Sequence, residues 1–229
     1  MIPMDPIFWM FLIPGLLLGM YAQMRLTSTY GRYVRQPIAT GLTGAQAARE
    51  ILDRAGLHNM PVNMVRGHLT DHYDPMKKAL FLSEENYHGY SIAAVGVAAH
   101  EAGHALQHQA SYAPLKLRMA MVPITSFATQ AAFFLILGQV VLGFAGMAKL
   151  GVIIYGIMAA FQVVTLPVEY DASRRAKQHL LALGIVQREE TGAVSKVLSA
   201  AALTYVAAMV SAVLSFLYWF SLARGSDRE

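Results

Sequence analysis

The sequence predicts a mainly α, four-helix integral membrane protein with a small α+β domain inserted between the first and second spans. Three observations carry this. Of 229 residues, 55% are hydrophobic and only 14% charged, against about 25% charged in an ordinary soluble domain. The apolar residues gather into four runs close to the ~20 residues that a bilayer core requires. The stretch between the first and second runs is instead mixed in polarity, with both helical and strand-like patterns.

The first run, Ile7 to Tyr21, is broken only by Pro14 and two glycines, and with its flanks it reaches from Pro6 to Met24. Residues 1–24 are thus expected to form the first transmembrane helix. A cleaved signal peptide begins with a positive region, whereas here Asp5 precedes the run and Arg25, Arg32 and Arg35 follow it, so the segment should stay attached. Residues 25–122 are expected to fold as the extramembrane domain. Within it, Thr43 to Ala55 has amphipathic helical spacing, opened by Thr43 as N-cap and closed by Gly56. Pro61 to Val65 and Ala79 to Ser83 read as short strands, joined by the polar stretch His68 to Lys78 with its Pro75. Ser91 to Gln109 reads as a long alanine-rich helix capped by Ser91.

Residues 123–168 are expected to form a transmembrane hairpin. Ser126 to Met147 carries no charge, and after Lys149 a second apolar run extends from Leu150 to Val168. Residues 169–199 begin with a charged helical segment, Glu169 to Leu183. Residues 200–229 hold the last span, Ala200 to Leu222, which is rich in Ala and Ser and ends in Tyr218, Trp219 and Phe220. Such an aromatic cluster suits a membrane interface.

Four spans put residues 25–120 and 169–196 on one side, and these carry 15 of the 18 Lys and Arg residues. The positive-inside rule makes that side cytoplasmic and leaves both termini outside. The expected location is therefore the inner (cytoplasmic) membrane, multi-pass. The formal charge of +4 and pI near 9.3 do not indicate nucleic acid, because the basic residues flank apolar runs and form no stripe with interleaved aromatics. Ser126 to Met147 and Ala200 to Leu222 contain no charged residue or histidine, which argues against an ion pathway. Small residues along Ala200 to Ser215 permit close helix packing within or between chains, leaving a homo-oligomer or a membrane-protein partner open.

The chemistry is concentrated in His100-Glu101-Ala102-Gly103-His104. Residues four apart on a helix point the same way, so two imidazoles can meet one metal ion with Glu101 beside them. Zinc lowers the pKa of a bound water toward neutrality, and a carboxylate at this offset can take the proton as the water attacks a peptide carbonyl. With no cysteine in the chain, every ligand must be His, Asp or Glu. His108 follows one turn later, but residues eight apart on a straight helix are about 12 Å apart, too far for one ion; it reads as an outer group or an exposed one. Glu169, directly after the third run, falls on the same membrane face as the histidines and is the better third ligand. Asp171 is its rival, or an acceptor for an imidazole N–H.

The stretches AAVGVAAHEAGHALQH and LPVEYDASRRA, with DHYDP and LFLSEENY before them, strongly resemble the YugP-type bacterial membrane zinc metallopeptidases, over nearly the whole chain. More distantly the chain is similar to gluzincins of the HtpX and CAAX prenyl protease type. The resemblance implies a zincin-like domain, Glu101 as general base, and one zinc ion (Zn2+) per chain held by His100, His104 and Glu169. Such relatives commonly carry an aspartate four residues after the glutamate to support a ligand histidine; here Ser173 occupies that position and the aspartate is Asp171. The resemblance further implies that an extended substrate adds to an edge strand before the active helix, for which Ala79, Leu80, Phe81, Leu82 and Ser83 are the candidates. A His or Tyr outside the motif would stabilise the oxyanion, with His72, Tyr73 and Tyr170 as candidates.

The implied function is a zinc metalloendopeptidase that hydrolyses membrane or membrane-proximal polypeptides. The alternative is a non-catalytic membrane scaffold or regulator in which zinc staples the inserted domain. A structural zinc site uses four protein ligands, and the sequence offers three, which favours the enzyme.

Overall fold

The computed structural model describes residues 6–142 and 147–226. Asp5, the 143–146 portion of the Ser126 to Met147 run and the ends of the terminal segments lie outside them. The elements are α1 (Pro6–Tyr33), α2 (Gly44–Arg54), β1 (Val62–Val65), β2 (His72–Asp74), β3 (Ala79–Ser83), α3 (Glu84–His88), α4 (Ile92–Gln109), α5 (Ala113–Leu142), α6 (Met147–Ala182) and α7 (Thr191–Ser226). Four of these helices, α1, α5, α6 and α7, are long and apolar enough to cross a membrane. The three-stranded sheet falls in sequence between the first and second of them. The fold class is the one the sequence predicts.

The helices are longer than the apolar runs. The third run and the charged segment after it form one 36-residue helix, α6, although Pro167 lies inside it and denies the Val163 carbonyl its intrahelical donor. An isolated proline therefore does not end this helix, and Glu169 sits two residues beyond it on continuous helical backbone.

The chain forms two compact units. One contains residues 24–115 and 167–203. Its core joins Ala47, Ala48, Ile51 and Leu52 of α2 to Ala93, Val95, Ala98, Ala99 and Ala102 of α4, with Leu80 and Leu82 of β3 and Leu180 of α6. The alanines bring α2 close to α4, and Thr43 starts α2 with a reciprocal capping box with Gln46, a device that stabilises a helix by about 1 kcal/mol. Gly56, at φ +77°, follows the helix where the sequence places its end.

The sheet order is β1-β3-β2. β3 runs parallel to β1, pairing Leu80 with Val62, and antiparallel to β2, pairing Leu80 with Tyr73. This corrects one expectation. Ala79, Leu80, Phe81, Leu82 and Ser83 form the central strand and not an edge, so their backbone is not open to an added substrate strand. The cause is β2, which lies in the polar stretch read as a connection. Three residues, His-Tyr-Asp, carry too little apolar alternation to announce a strand. Beyond that ladder, Asp71 takes over the edge, accepting hydrogen bonds from the Ser83 backbone N–H (2.8 Å), the Ser83 hydroxyl (2.9 Å) and the Asn86 amide (2.9 Å).

The second unit comprises described residues up to 23, residues 116–166 and those from 204 onward. Its interior gathers Ala128, Ala132, Leu135, Ile154 and Trp219, and Tyr155 stacks on the Trp219 indole. A Cβ on Gly151 would lie 2.3 Å from that indole, so glycine there admits the ring. Leu16, Leu17, Phe127, Phe133, Phe134 and Ile153 are exposed, as side chains facing lipid must be.

Candidate metal centre

All residues of the site belong to the first of these units. The helix α4 begins at Ser91, whose hydroxyl accepts from the Ala94 N–H at 3.1 Å. Its alanine face is buried, which sets the opposite row, His100 and His104, toward α6. The two rings stand nearly perpendicular at 83°, with centroids 4.8 Å apart. From α6, Glu169 Oε2 lies 3.1 Å from His100 Nε2 and 3.6 Å from His104 Nε2. These three side chains form a group whose candidate ligand atoms all lie within 4.8 Å of one another.

Two tests show that this group fits zinc. Bonds of about 2.0–2.1 Å at the tetrahedral angle place ligand atoms about 3.3 Å apart, and the Glu169 separations bracket that value. Glu169 is also only 1% exposed. A carboxylate so buried keeps its charge only beside positive charge, which a cation held by the three side chains supplies. Burial opposes a charge on His104, but the adjoining Glu169 carboxylate, with help from Glu101, outweighs it and raises the imidazole pKa. The site attracts positive charge.

What allows the two helices to meet is Gly103. A Cβ there would fall 2.6 Å from the Ala172 carbonyl oxygen and 3.2 Å from Ala172 Cα, both backbone atoms that cannot swing aside. Gly103→Ala should gain about 0.8–1 kcal/mol in helix propensity yet force the helices apart by several tenths of an ångström beside the site. Activity is expected to fall on the order of 10- to 100-fold, in line with the cost of misplacing a reacting group by about 1 Å. Kinetics paired with a thermal melt check this; an Ala variant of undiminished activity would contradict the close approach.

The residues next to Glu169 divide their roles. The Ser173 hydroxyl lies 3.1 Å from His100 Nδ1. Asp171 is no member of the ligand group among the described residues; it accepts from Arg175 Nε at 2.6 Å, from the Arg174 guanidinium and from Gln107 Nε2 at 2.9 Å. Gln107, not singled out in the sequence, places Oε1 3.0 Å from His104 Nδ1. Its position three residues after His104 on the same helix was the signal that could have revealed it.

The remaining candidates lie as follows. Glu101 is buried, at 8% exposure. His108 Nδ1 is 2.7 Å from the Tyr73 hydroxyl, and burial followed by the charge on Asp74 pushes the Tyr73 phenol up to about 12, so it remains protonated at neutral pH. His72 is exposed, held by Thr70 O at 2.8 Å and stacked on Phe81. Tyr170 is half exposed. Neither His72 nor His108 joins the ligand group among the described residues.

Residues 8–224 match the protein family described as "Putative neutral zinc metallopeptidase". The chain is also 47% identical over 205 residues to the "Putative membrane protease YugP" of Bacillus subtilis (strain 168), covering 90% of this chain and 91% of that protein. No solved structure gives a significant match. Because the family match runs from the first apolar helix to the last and takes in both helices that carry the site, the chain belongs to the neutral zinc metallopeptidase family.

Proposed function

We propose that the protein is a membrane-embedded zinc metalloendopeptidase that cleaves membrane or membrane-proximal polypeptides at the cytoplasmic face, with His100, His104 and Glu169 as ligands and Glu101 as general base. The observation that carries this reading is the convergence of two imidazoles from α4 and a buried carboxylate from α6, with Glu169 Oε2 at 3.1 and 3.6 Å from the two Nε2 atoms and all candidate ligand atoms within 4.8 Å of one another. Three protein ligands leave one position open for a reactant, as in a hydrolytic site, whereas a structural site closes with a fourth. Among the described residues the group has three members, which favours hydrolysis over a zinc-stapled scaffold. The cytoplasmic assignment rests on 15 of 18 Lys and Arg residues lying in segments 25–120 and 169–196.

A zinc ion held by His100, His104 and Glu169 would supply Lewis-acid charge to a water and to a peptide carbonyl. Glu101 takes the proton of the attacking water and delivers it to the departing amine. Ser173 and Gln107 hold the two imidazoles from behind, so that both Nε2 atoms face Glu169. An extended substrate would lie along a strand other than β3, since both sides of β3 are taken.

Protein purified in detergent is expected to carry about one zinc per chain and to cleave an unstructured polypeptide. A chelator should stop cleavage and added zinc should restore it. Cleavage that persists in protein shown to be zinc-free would refute the proposal.

A further inference from the structure

A buried glutamine holds one ligand histidine, and its own hydrogen bonds dictate how. Gln107 is fully buried, at 0% exposure, so no solvent can take over its contacts. One end of its amide lies 2.7 Å from the Val168 carbonyl oxygen and 2.9 Å from Asp171 Oδ2. A backbone carbonyl and a carboxylate only accept, so that end must be the NH2 group. The other end, 3.0 Å from His104 Nδ1, must then be the oxygen. Amide orientation is ambiguous in isolation; here the two acceptors settle it.

The consequence reaches the metal site. An amide oxygen can only accept, so His104 Nδ1 must carry the hydrogen. The neutral imidazole then keeps its lone pair on Nε2, the atom 3.6 Å from Glu169 Oε2. Ser173 imposes nothing comparable on His100, because a hydroxyl can either donate or accept. Behind Gln107, Asp171 is held by Arg174 and Arg175, and its charge polarises the amide and strengthens the oxygen as an acceptor.

Resting on the metallopeptidase reading above, we infer that Gln107, oriented by Asp171 and the Val168 carbonyl, is a positioning residue that sets the His104 tautomer so that Nε2 is presented to the metal. Gln107 does not touch the reacting atoms. It acts through His104, and Asp171 acts through Gln107.

The test measures zinc affinity of the full-length protein in detergent by competition with a chromophoric chelator. Gln107→Leu, close in volume but without polar atoms, should weaken zinc binding about 10- to 100-fold, the usual loss when a histidine ligand's outer partner is removed. A residue that only fills space would tolerate Leu, and wild-type affinity in Gln107→Leu overturns the inference. Should that variant fail to fold, side-chain nitrogen NMR of the zinc-loaded wild type decides. Hydrogen on His104 Nδ1 with zinc on Nε2 is expected, and zinc on Nδ1 overturns the inference. If the wild type takes up no zinc, the metallopeptidase reading itself fails; if it takes up zinc and Gln107→Leu is indifferent, only the role of Gln107 is lost.

Discussion

Glu101→Gln is expected to reduce cleavage on the order of 10²- to 10⁴-fold, the range for loss of a general base, while zinc content stays at about one per chain. Glutamine matches glutamate in size, so the packing of this buried residue, at 8% exposure, is preserved. What disappears is the capacity to accept a proton. Because Glu101 stands outside the His100, His104 and Glu169 group, metal retention and activity should part company in this variant. Zinc analysis and single-turnover cleavage on the same preparation give both readouts. Full activity with full zinc would remove Glu101 from the mechanism, whereas loss of zinc would make it a ligand or a structural residue.

The second large effect is expected from Glu169→Ala, which should weaken zinc binding by more than the ~100-fold typical of outer partners and abolish cleavage. The loss is twofold in origin. A ligand oxygen is removed, and so is the only carboxylate of the three-membered group, whose charge raises the His104 pKa against burial. Glu169→Gln retains a ligand-capable oxygen without the charge, and its affinity should fall between that of Ala and the wild type. Asp171→Ala offers the contrast: acting only through Gln107, it should cost no more than about 100-fold. The reverse ranking, Asp171→Ala abolishing zinc binding and Glu169→Ala sparing it, would exchange the two roles. Equilibrium dialysis against buffered zinc separates these outcomes.

Much of the helical architecture is legible in the sequence. Caps at Thr43 and Ser91 and the left-handed Gly56 mark helix ends by local chemistry, and four apolar stretches mark four long helices by composition. The sheet was less legible. Strand β3 was readable from its apolar residues, but β2 was not, because three residues with two polar side chains resemble a loop until Asp71, Ser83 and Asn86 are seen to lock its flank. Without β2, β3 reads as an edge strand; with it, β3 is central.

By itself the sequence determined the imidazole pair, the carboxylate beside it and the membrane class, since each depends on residues within a helical turn or on the average polarity of one segment. Only the tertiary structure decided that Glu169, and not Asp171, meets the imidazoles, that Ser173 and Gln107 share the task of holding them, and that the glycine of the motif is a contact point. These depend on where α4 and α6 touch, at Gly103 and Ala172. Backbone contact between segments some seventy residues apart comes from packing, which no local periodicity encodes.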